Sequence, residues 1–233
     1  LVGNSGILCA GVSYDAGWNI VSVPYLADDM AATALFPAAA TSAFAFDNGY
    51  VQADMLENGE GYWLKFDQSG SAQVCGSLVN DDITLNAGWN LVGVYGSPVS
   101  TANISTDPAG IIVSPFYSFN AAYQTTDLLQ TGVGYWVKTS EAGTMSFSGG
   151  AAKKDVSVSQ IGADWTSVSI TDAKGATSTL YLSENSISSE KYLLPPAPPA
   201  GAFDARFSDD SFVAQTTGRI KFTTVNYPVK IRV

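Results

Sequence analysis

The sequence predicts an all-β fold, made of a duplicated, pseudo-symmetric β-module followed by a β-sandwich-like domain, with very little helix. Three observations support this prediction. A Gly-Trp-Asn motif that opens a short apolar run occurs twice, a Gly-Tyr-Trp motif follows each copy, and the last third of the chain alternates apolar with polar residues. Only the Ala-rich residues 31–35, with their neighbours, could form a helical turn.

The two motifs fix the extent of the repeat. Residues 16–23 recur as 87–94, an offset of 71, and residues 59–65 recur as 132–138, an offset of 73. The two-residue difference falls in the Ala-rich stretch 31–40, where a loop absorbs an insertion easily. Two modules of this kind could stack about a shared pseudo-two-fold axis.

Each part of the module has a local interpretation as strand or turn. The run within each Gly-Trp-Asn motif is short and rich in Val, Ile and Leu, which favours a largely buried strand. Gly17 and Gly88 end the preceding turns, where glycine accepts a positive φ without steric cost. A further strand is expected at 43–46 and 117–119, and the Asn-Gly pair within 47–49 predicts a hairpin turn.

The last third of the chain predicts a separate domain. Composition changes across the Gly-, Ala- and Lys-containing residues 149–154, which indicates a linker or domain edge. The predicted domains are therefore 1–79, 80–150 and 151–233. Strands of the third domain are expected at 156–158, 167–170, 179–182, 203–207, 219–223 and 227–233.

A proline-rich segment, residues 194–201, interrupts these strands. Four prolines within five residues impose a polyproline-II course. A rigid crossover between sheets is favoured over a ligand for an aromatic groove, because proline-rich spacers are common.

Charge and hydropathy argue against two kinds of partner. The chain carries 11 basic and 21 acidic residues, a net charge of −10, whereas nucleic-acid binding needs clustered Lys and Arg. The one basic pair, Lys153-Lys154, fits a solvated linker. No run approaches the roughly 20 apolar residues of a membrane span. Charged residues make up only 14% of the chain, so its surface suits packing against protein copies or sugar outside the cell.

The two cysteines, Cys9 and Cys75, predict one disulfide, because an even count in an extracellular protein favours pairing. The alternative is two unrelated buried thiols. A bridge would close a loop of 66 residues and add about 4 kcal/mol by constraining the unfolded chain.

The residue inventory argues against catalysis and predicts no cofactor. The chain has no histidine, which removes Ser-His-Asp and Cys-His systems and histidine zinc sites. A glycoside hydrolase needs only two carboxylates, for which the candidates are Asp28, Asp29, Asp54, Glu57 and Glu60. The second repeat has Gln130 and Val133 in place of Glu57 and Glu60, so turn residues are favoured and the chain is predicted not to be an enzyme.

The sequence offers candidates for two further kinds of site, a calcium site and a sugar-stacking surface. Asp81-Asp82 and Asp209-Asp210 could supply oxygen ligands to calcium, but solvated turn acids are favoured and no metal site is predicted. The four motif tryptophans favour core packing over sugar stacking. Tyr50 and Tyr123 follow turns, and these two are the candidate ligand-binding residues, with glycans as the ligand class.

The order of these motifs resembles the repeat near the C-terminus of type IX secretion cargo proteins of Bacteroidota and their relatives. The segment 192–207, with its prolines and its Phe-Asp-Ala-Arg-Phe end, is similar to the segment that follows the repeat in those proteins. The resemblance runs from about residue 16 to 233 and implies export to the cell surface or beyond, with no fixed activity. A sorting domain expected after the last strand is absent, which fits cleavage after export or trimming.

Together these features predict a non-enzymatic extracellular structural or assembly module that self-associates into a surface layer or filament. Homo-oligomer or polymer contacts are expected through edge or terminal strands, at residues 6–14 and in the final strand. The alternatives are a carbohydrate-binding or adhesive module and, less favoured, a carboxylate-pair glycoside hydrolase.

Overall fold

Strands make up most of this computed structural model, which describes residues 6–147 and 161–233. Within those residues the single α-helix is the four-residue α1 (Ala32–Leu35), and short 3-10 helices occur at Thr101–Asn103 and Ser189–Tyr192. The predicted all-β fold with very little helix is confirmed. The one helix lies in the Ala-rich stretch that the sequence singled out.

The first module contains two sheets. Its strands are β1 (Leu8–Tyr14), β2 (Gly17–Ser22), β3 (Ala43–Phe46), β4 (Tyr50–Ala53), β5 (Gly61–Phe66) and β6 (Gly70–Gly76). Strands β1 and β6 pair antiparallel along their whole length, and the other four form a sheet in the order β2-β5-β3-β4. Their apolar faces share a core that includes Val23, Leu56, Leu64 and Val74.

The second module repeats this plan. Its strands are β7 (Ile83–Leu85), β8 (Gly88–Gly93), β9 (Val99–Ser100), β10 (Ser105–Asp107), β11 (Phe116–Phe119), β12 (Tyr123–Thr126), β13 (Leu128–Leu129), β14 (Gly134–Thr139) and β15 (Gly143–Ser146). The sheet orders are β12-β11-β14-β8, β10-β15-β7 and β13-β9. Val94, Leu129, Val137 and Met145 belong to its core.

The two modules share one strand register. Trp18 lies opposite Lys65 and Trp89 lies opposite Lys138, so the β2–β5 and β8–β14 pairs follow the offsets found in the sequence. The β1–β6 and β7–β15 pairs correspond in the same way. One element differs, because α1 packs beside β6 where the second module has strand β10 beside β15.

The modules contact each other through reciprocal backbone hydrogen bonds. The amide of Ser22 donates to the Gly132 carbonyl, and the amide of Gly93 donates to the Gly59 carbonyl, each over 2.9 Å. Ser22 and Gly93 are equivalent positions of the repeat, as are Gly59 and Gly132. This reciprocity is what a pseudo-two-fold axis between stacked modules requires.

Gly61 and Gly134 lie at this axis, where no side chain fits. A Cβ on Gly134 would lie 3.1 Å from the Cα of Gly61 and 3.0 Å from the Val21 carbonyl oxygen, and it would overlap the Ile20 side chain. A Cβ on Gly61 would lie 3.3 Å from the Cα of Gly134. The Gly-Tyr-Trp motif therefore begins with glycine because the two backbones approach closely there.

The described chain divides into two compact units. The first consists of residues 6–118 and 125–147, so it includes both modules apart from residues 119–124 of the β11–β12 hairpin, and the second consists of residues 119–124 and 161–233. Outside the described residues lie the predicted boundary between 150 and 151, the linker at 149–154 with Lys153-Lys154, and the strand at 156–158.

The second unit is built from two sheets around one core. Its strands are β16 (Thr166–Thr171), β17 (Thr177–Ser183), β18 (Asp204–Phe207), β19 (Val213–Gln215), β20 (Ile220–Thr223) and β21 (Lys230–Arg232). The sheets have the orders β19-β17-β16-β21 and β18-β20. Val168, Ile170, Leu180, Phe203 and Phe207 belong to the shared core, as a β-sandwich-like domain requires.

The final strand is shorter than the sequence predicted. Strand β21 spans Lys230–Arg232 instead of residues 227–233. Pro228 has no amide hydrogen to donate to a ladder, so the strand begins only after it.

Replacing Gly134 with alanine is expected to destabilise the first unit by about 1–3 kcal/mol, because the added methyl group overpacks the axis against Ile20 and Gly61. Gly11→Ala is the matched control, since a Cβ on Gly11 meets nothing within 4 Å. Urea unfolding followed by tryptophan fluorescence measures both variants. Equal free energies of unfolding for the two would contradict a sterically closed axis.

Candidate functional sites

Each Gly-Trp-Asn motif closes the turn that precedes its strand. The Asn19 side chain donates to the carbonyls of Asp15 (2.7 Å) and Gly17 (3.0 Å) and accepts from the Asp15 amide. Asn90 makes the same set of bonds in the second module. Gly17 and Gly88 have φ values of +105° and +95°, as the sequence predicted. The asparagine therefore holds a turn in both copies.

Each Gly-Tyr-Trp motif closes a second turn with its tyrosine. The Tyr62 hydroxyl accepts from the Glu57 amide over 2.8 Å, and the Tyr135 hydroxyl accepts from the Gln130 amide over 2.6 Å. Burial, with the nearby Glu60 carboxylate, holds the pKa of Tyr62 above its usual range, and burial raises the pKa of Tyr135. Both hydroxyls therefore stay protonated, and Tyr62 also donates to Glu60 Oε2.

The motif tryptophans belong to the packing of the modules. Trp63 and Trp136 are fully buried. Trp18 packs edge-on against Trp63, and Trp89 packs edge-on against Trp136, each at a ring-centroid distance of 6.3 Å. Trp63 and Trp136 thus have the core packing that the sequence favoured over sugar stacking, while Trp18 and Trp89 are half-buried beside them.

Tyr50 and Tyr123, the predicted ligand-binding residues, are both half-buried. The Tyr50 ring centroid lies 5.8 Å from that of Phe46. The Tyr123 hydroxyl donates to the Pro196 carbonyl over 2.6 Å, within the second unit. These contacts give both rings a packing role, and glycan binding by the two tyrosines stays a prediction.

The predicted disulfide is confirmed. Cys9 and Cys75 form a disulfide between directly opposed positions of β1 and β6, with their Cα atoms 4.0 Å apart. The bridge belongs to the first module alone, because the position equivalent to Cys9 in the second module is Asn80. It fastens the outer strand β1 to its only strand partner in the described chain.

A cleft in the first unit brings together acids that lie far apart in the sequence. This acidic cleft has a volume of about 410 Å³, and Glu57, Glu60, Asp81 and Asp82 line it. Of the predicted carboxylate candidates, it does not include Asp28, Asp29 or Asp54. Elements distant in the chain therefore form it, since the turn before β5 supplies the glutamates and the segment before β7 supplies the aspartates.

The aspartate pairs do not form metal-ligand sets. In the part of the chain that the structure describes, no group of three or more His, Cys, Asp or Glu side chains is placed to hold a metal ion. Asp209 accepts from the Ser211 hydroxyl, and Asp210 pairs with Lys221 over 2.7 Å. These contacts fit the turn role that the sequence favoured for Asp209-Asp210.

The acidic cleft also contains a tyrosine that no motif marked. Tyr95 is nine-tenths buried, and its ring packs against Phe147 at a centroid distance of 5.6 Å. Burial, with the nearby Asp81 and Asp82 carboxylates, raises the pKa of Tyr95 to about 12, so its hydroxyl is neutral at physiological pH. Sequence reasoning missed Tyr95 because its first-module equivalent is Pro24, and the repeat therefore gave no signal.

A buried ion pair in the second unit was also missed. Arg206 is 1% exposed and binds both carboxylate oxygens of Asp204, at 2.6 and 2.8 Å, while its third nitrogen donates to the Pro195 carbonyl over 2.7 Å. Burial alone would lower the pKa of Arg206, but the hydrogen bond and charge of Asp204 raise it above its usual value. The pair thereby anchors the proline-rich segment to β18.

Neither sequence nor fold comparison connects this chain to another protein. No protein-family model, curated protein or solved structure matches it. None of the helices in residues 6–147 and 161–233 is both long and apolar enough to cross a membrane. The geometry of the chain itself therefore carries the functional proposal.

Loss of the Cys9–Cys75 bridge is expected to lower the free energy of unfolding by about 4 kcal/mol, because the bridge constrains a 66-residue loop in the unfolded chain. Thermal and urea unfolding with and without dithiothreitol measure the loss. The Cys9→Ser/Cys75→Ser variant is the control, since dithiothreitol should not affect it. An unchanged unfolding midpoint on reduction would show that β1 is held by packing alone.

Replacing Arg206 with methionine is expected to cost about 3–5 kcal/mol of stability, because the change leaves the Asp204 carboxylate buried without its partner. The double variant Asp204→Leu/Arg206→Met should lose less than the single one, since it removes both charges. Guanidinium unfolding of the two variants tests this order. A double variant less stable than Arg206→Met would contradict the buried-charge explanation.

Proposed function

We propose that this chain is a non-enzymatic extracellular structural module that associates with copies of itself through strand β21. The observation that carries the proposal is an edge strand with exposed apolar side chains. Among the described strands β21 pairs with β16 alone, so its other side offers backbone donors and acceptors. An edge of this kind is a template for pairing with another chain.

The side chains around β21 favour association over exposure to water. Ile231 is 57% exposed and Val233 is 88% exposed, and Val225 and Tyr227 are exposed just before the strand. Burying such side chains against a second copy contributes about 25 cal/mol for each Å² of apolar surface removed from water. Backbone pairing would supply direction and register to that apolar contact.

Charge favours a head-to-tail arrangement. Lys230 and Arg232 flank Ile231, so pairing of β21 with itself would bring like charges together across the contact. The chain as a whole carries a net charge of −10, so other faces of a second copy attract this strand. A contact between two different faces leads to rings or to open filaments, whereas a self-complementary one stops at a dimer.

The extracellular part of the proposal is supported by the disulfide and by composition. Disulfides persist in oxidising compartments, and the low content of charged residues suits a surface that packs against copies of itself. The order of motifs that resembles type IX secretion cargo supports export to the cell surface. Tyr50 contacts Phe46 and Tyr123 bonds to Pro196, and glycan binding by these two tyrosines stays the alternative.

Self-association is expected to rise with protein concentration and to require Ile231. Sedimentation velocity over a concentration series, with negative-stain imaging of the most concentrated samples, measures the species formed. Ile231→Asp should remain monomeric, because a carboxylate at the contact would have to be desolvated. Val113→Asp is the matched control, since Val113 is exposed to a similar degree, 50%, and lies in the first unit.

Each outcome of this experiment supports or contradicts association through β21. If the sedimentation coefficient rises with concentration for the wild type and for Val113→Asp, but not for Ile231→Asp, the result supports association through β21. A wild type that stays monomeric at its highest soluble concentration would overturn the proposal. Equal association of all three proteins would show that the contact between copies does not involve β21.

A further inference from the structure

We infer that the acidic cleft of the first unit binds an ammonium group carried on an unbranched alkyl chain. This is the chemistry that a lysine side chain of a peptide shares with a free alkyl polyamine. The site goes beyond the self-association proposed above and does not depend on it.

The negative charge of the cleft favours the binding of a cation. Four carboxylate residues line it, and no lysine or arginine of the described chain does so. One carboxylate is partly engaged, because Glu60 Oε2 accepts from the Tyr62 hydroxyl. The others have no salt-bridge partner among the described residues, so an incoming cation meets uncompensated negative charge.

The apolar side chains that line the cleft favour a cation carried on an alkyl chain over a bare ion. Leu26, Met30 and Val79 line it, together with the buried Leu56 and Ile83. Side chains of this kind accept a methylene chain, whereas they offer nothing to a hydrated metal ion. The absence of a metal-ligand set in the described residues agrees with this selection.

A tyrosine that is itself buried lines the same cleft, and its hydroxyl has no protein partner among the described residues. Tyr95 is 8% exposed, and its hydroxyl makes no hydrogen bond with any residue that the structure describes. A Cβ on Gly59 would lie 2.6 Å from this hydroxyl, so the glycine leaves room beside it. The hydroxyl of a largely buried tyrosine usually has a hydrogen-bond partner. A bound ammonium group would donate the hydrogen bond that is missing.

The duplication shows that the scaffold does not require these groups. The second module keeps the same turn, closed by Tyr135 as Tyr62 closes the first. At the equivalent positions, however, the carboxylates and the tyrosine are gone. Glu57, Glu60, Asp81, Asp82 and Tyr95 correspond respectively to Gln130, Val133, Ala10, Gly11 and Pro24. Only one of the two sites related by the repeat therefore carries the carboxylates and the tyrosine.

Isothermal titration calorimetry with 1,5-diaminopentane, spermidine and a tri-lysine peptide tests the site. Asp81→Asn/Asp82→Asn should weaken binding by about tenfold or more, because two of the four charges facing the ligand are lost. Asp28→Asn/Asp67→Asn is the control of equal net charge. Both of its residues are exposed and lie outside the cleft, so its affinity should stay within about twofold of the wild type.

A third variant tests the hydroxyl. Tyr95→Phe keeps the ring and its packing and removes only the oxygen, so it should weaken the affinity for 1,5-diaminopentane by about threefold to tenfold. Far-ultraviolet circular dichroism and the thermal midpoint of every variant establish that the fold is intact.

The outcomes decide between specific binding and bulk attraction. Weaker binding in the cleft variants alone supports the site. In that case a tighter affinity for spermidine identifies a free polyamine as the ligand, and a tighter affinity for tri-lysine identifies a peptide side chain. Equal losses in the two double variants, or no measurable heat with any of the three probes, would overturn the inference.

Discussion

The close approach of Gly61 and Gly134 is the contact on which the first unit depends. Because neither residue has a side chain, the two backbones meet at the pseudo-two-fold axis and exchange reciprocal hydrogen bonds. The glycine of each turn then lies against the other module's leading strand, Gly59 on Ile83 and Gly132 on Val12. A turn of each module thus packs against the other module, which explains why the two together make one compact unit.

Around that axis the two copies keep some residues and vary others, for a physical reason. The Asn19 and Asn90 side chains satisfy turn backbone groups that would otherwise lack partners, so both copies need them. The exposed acids Glu57 and Glu60 satisfy no such backbone requirement. The Glu57 and Glu60 positions can therefore lose their charge in one copy and, in the other, join Asp81 and Asp82 at a cleft.

In the second unit a charged pair helps to fix the proline-rich segment, which lies outside the strand ladders. Prolines cannot donate backbone hydrogen bonds, so the crossover at 194–201 is anchored through its carbonyls. Arg206 binds that of Pro195, and Tyr123 binds that of Pro196. The rigid crossover predicted from composition is thus anchored by side chains whose burial the composition did not reveal.

The sequence by itself determined the features that depend on neighbouring residues. Turn glycines such as Gly17, the Asn-Gly hairpin and the alternation of apolar residues act over a few positions, so the all-β fold and the repeat could be predicted. The tertiary structure alone decided which distant groups meet. Tyr123 follows a turn, yet its hydroxyl donates to the Pro196 carbonyl. Tyr95 belongs to no motif, yet it is buried in a cleft that Asp81 also lines. Such contacts follow from how the sheets pack, which no local pattern encodes.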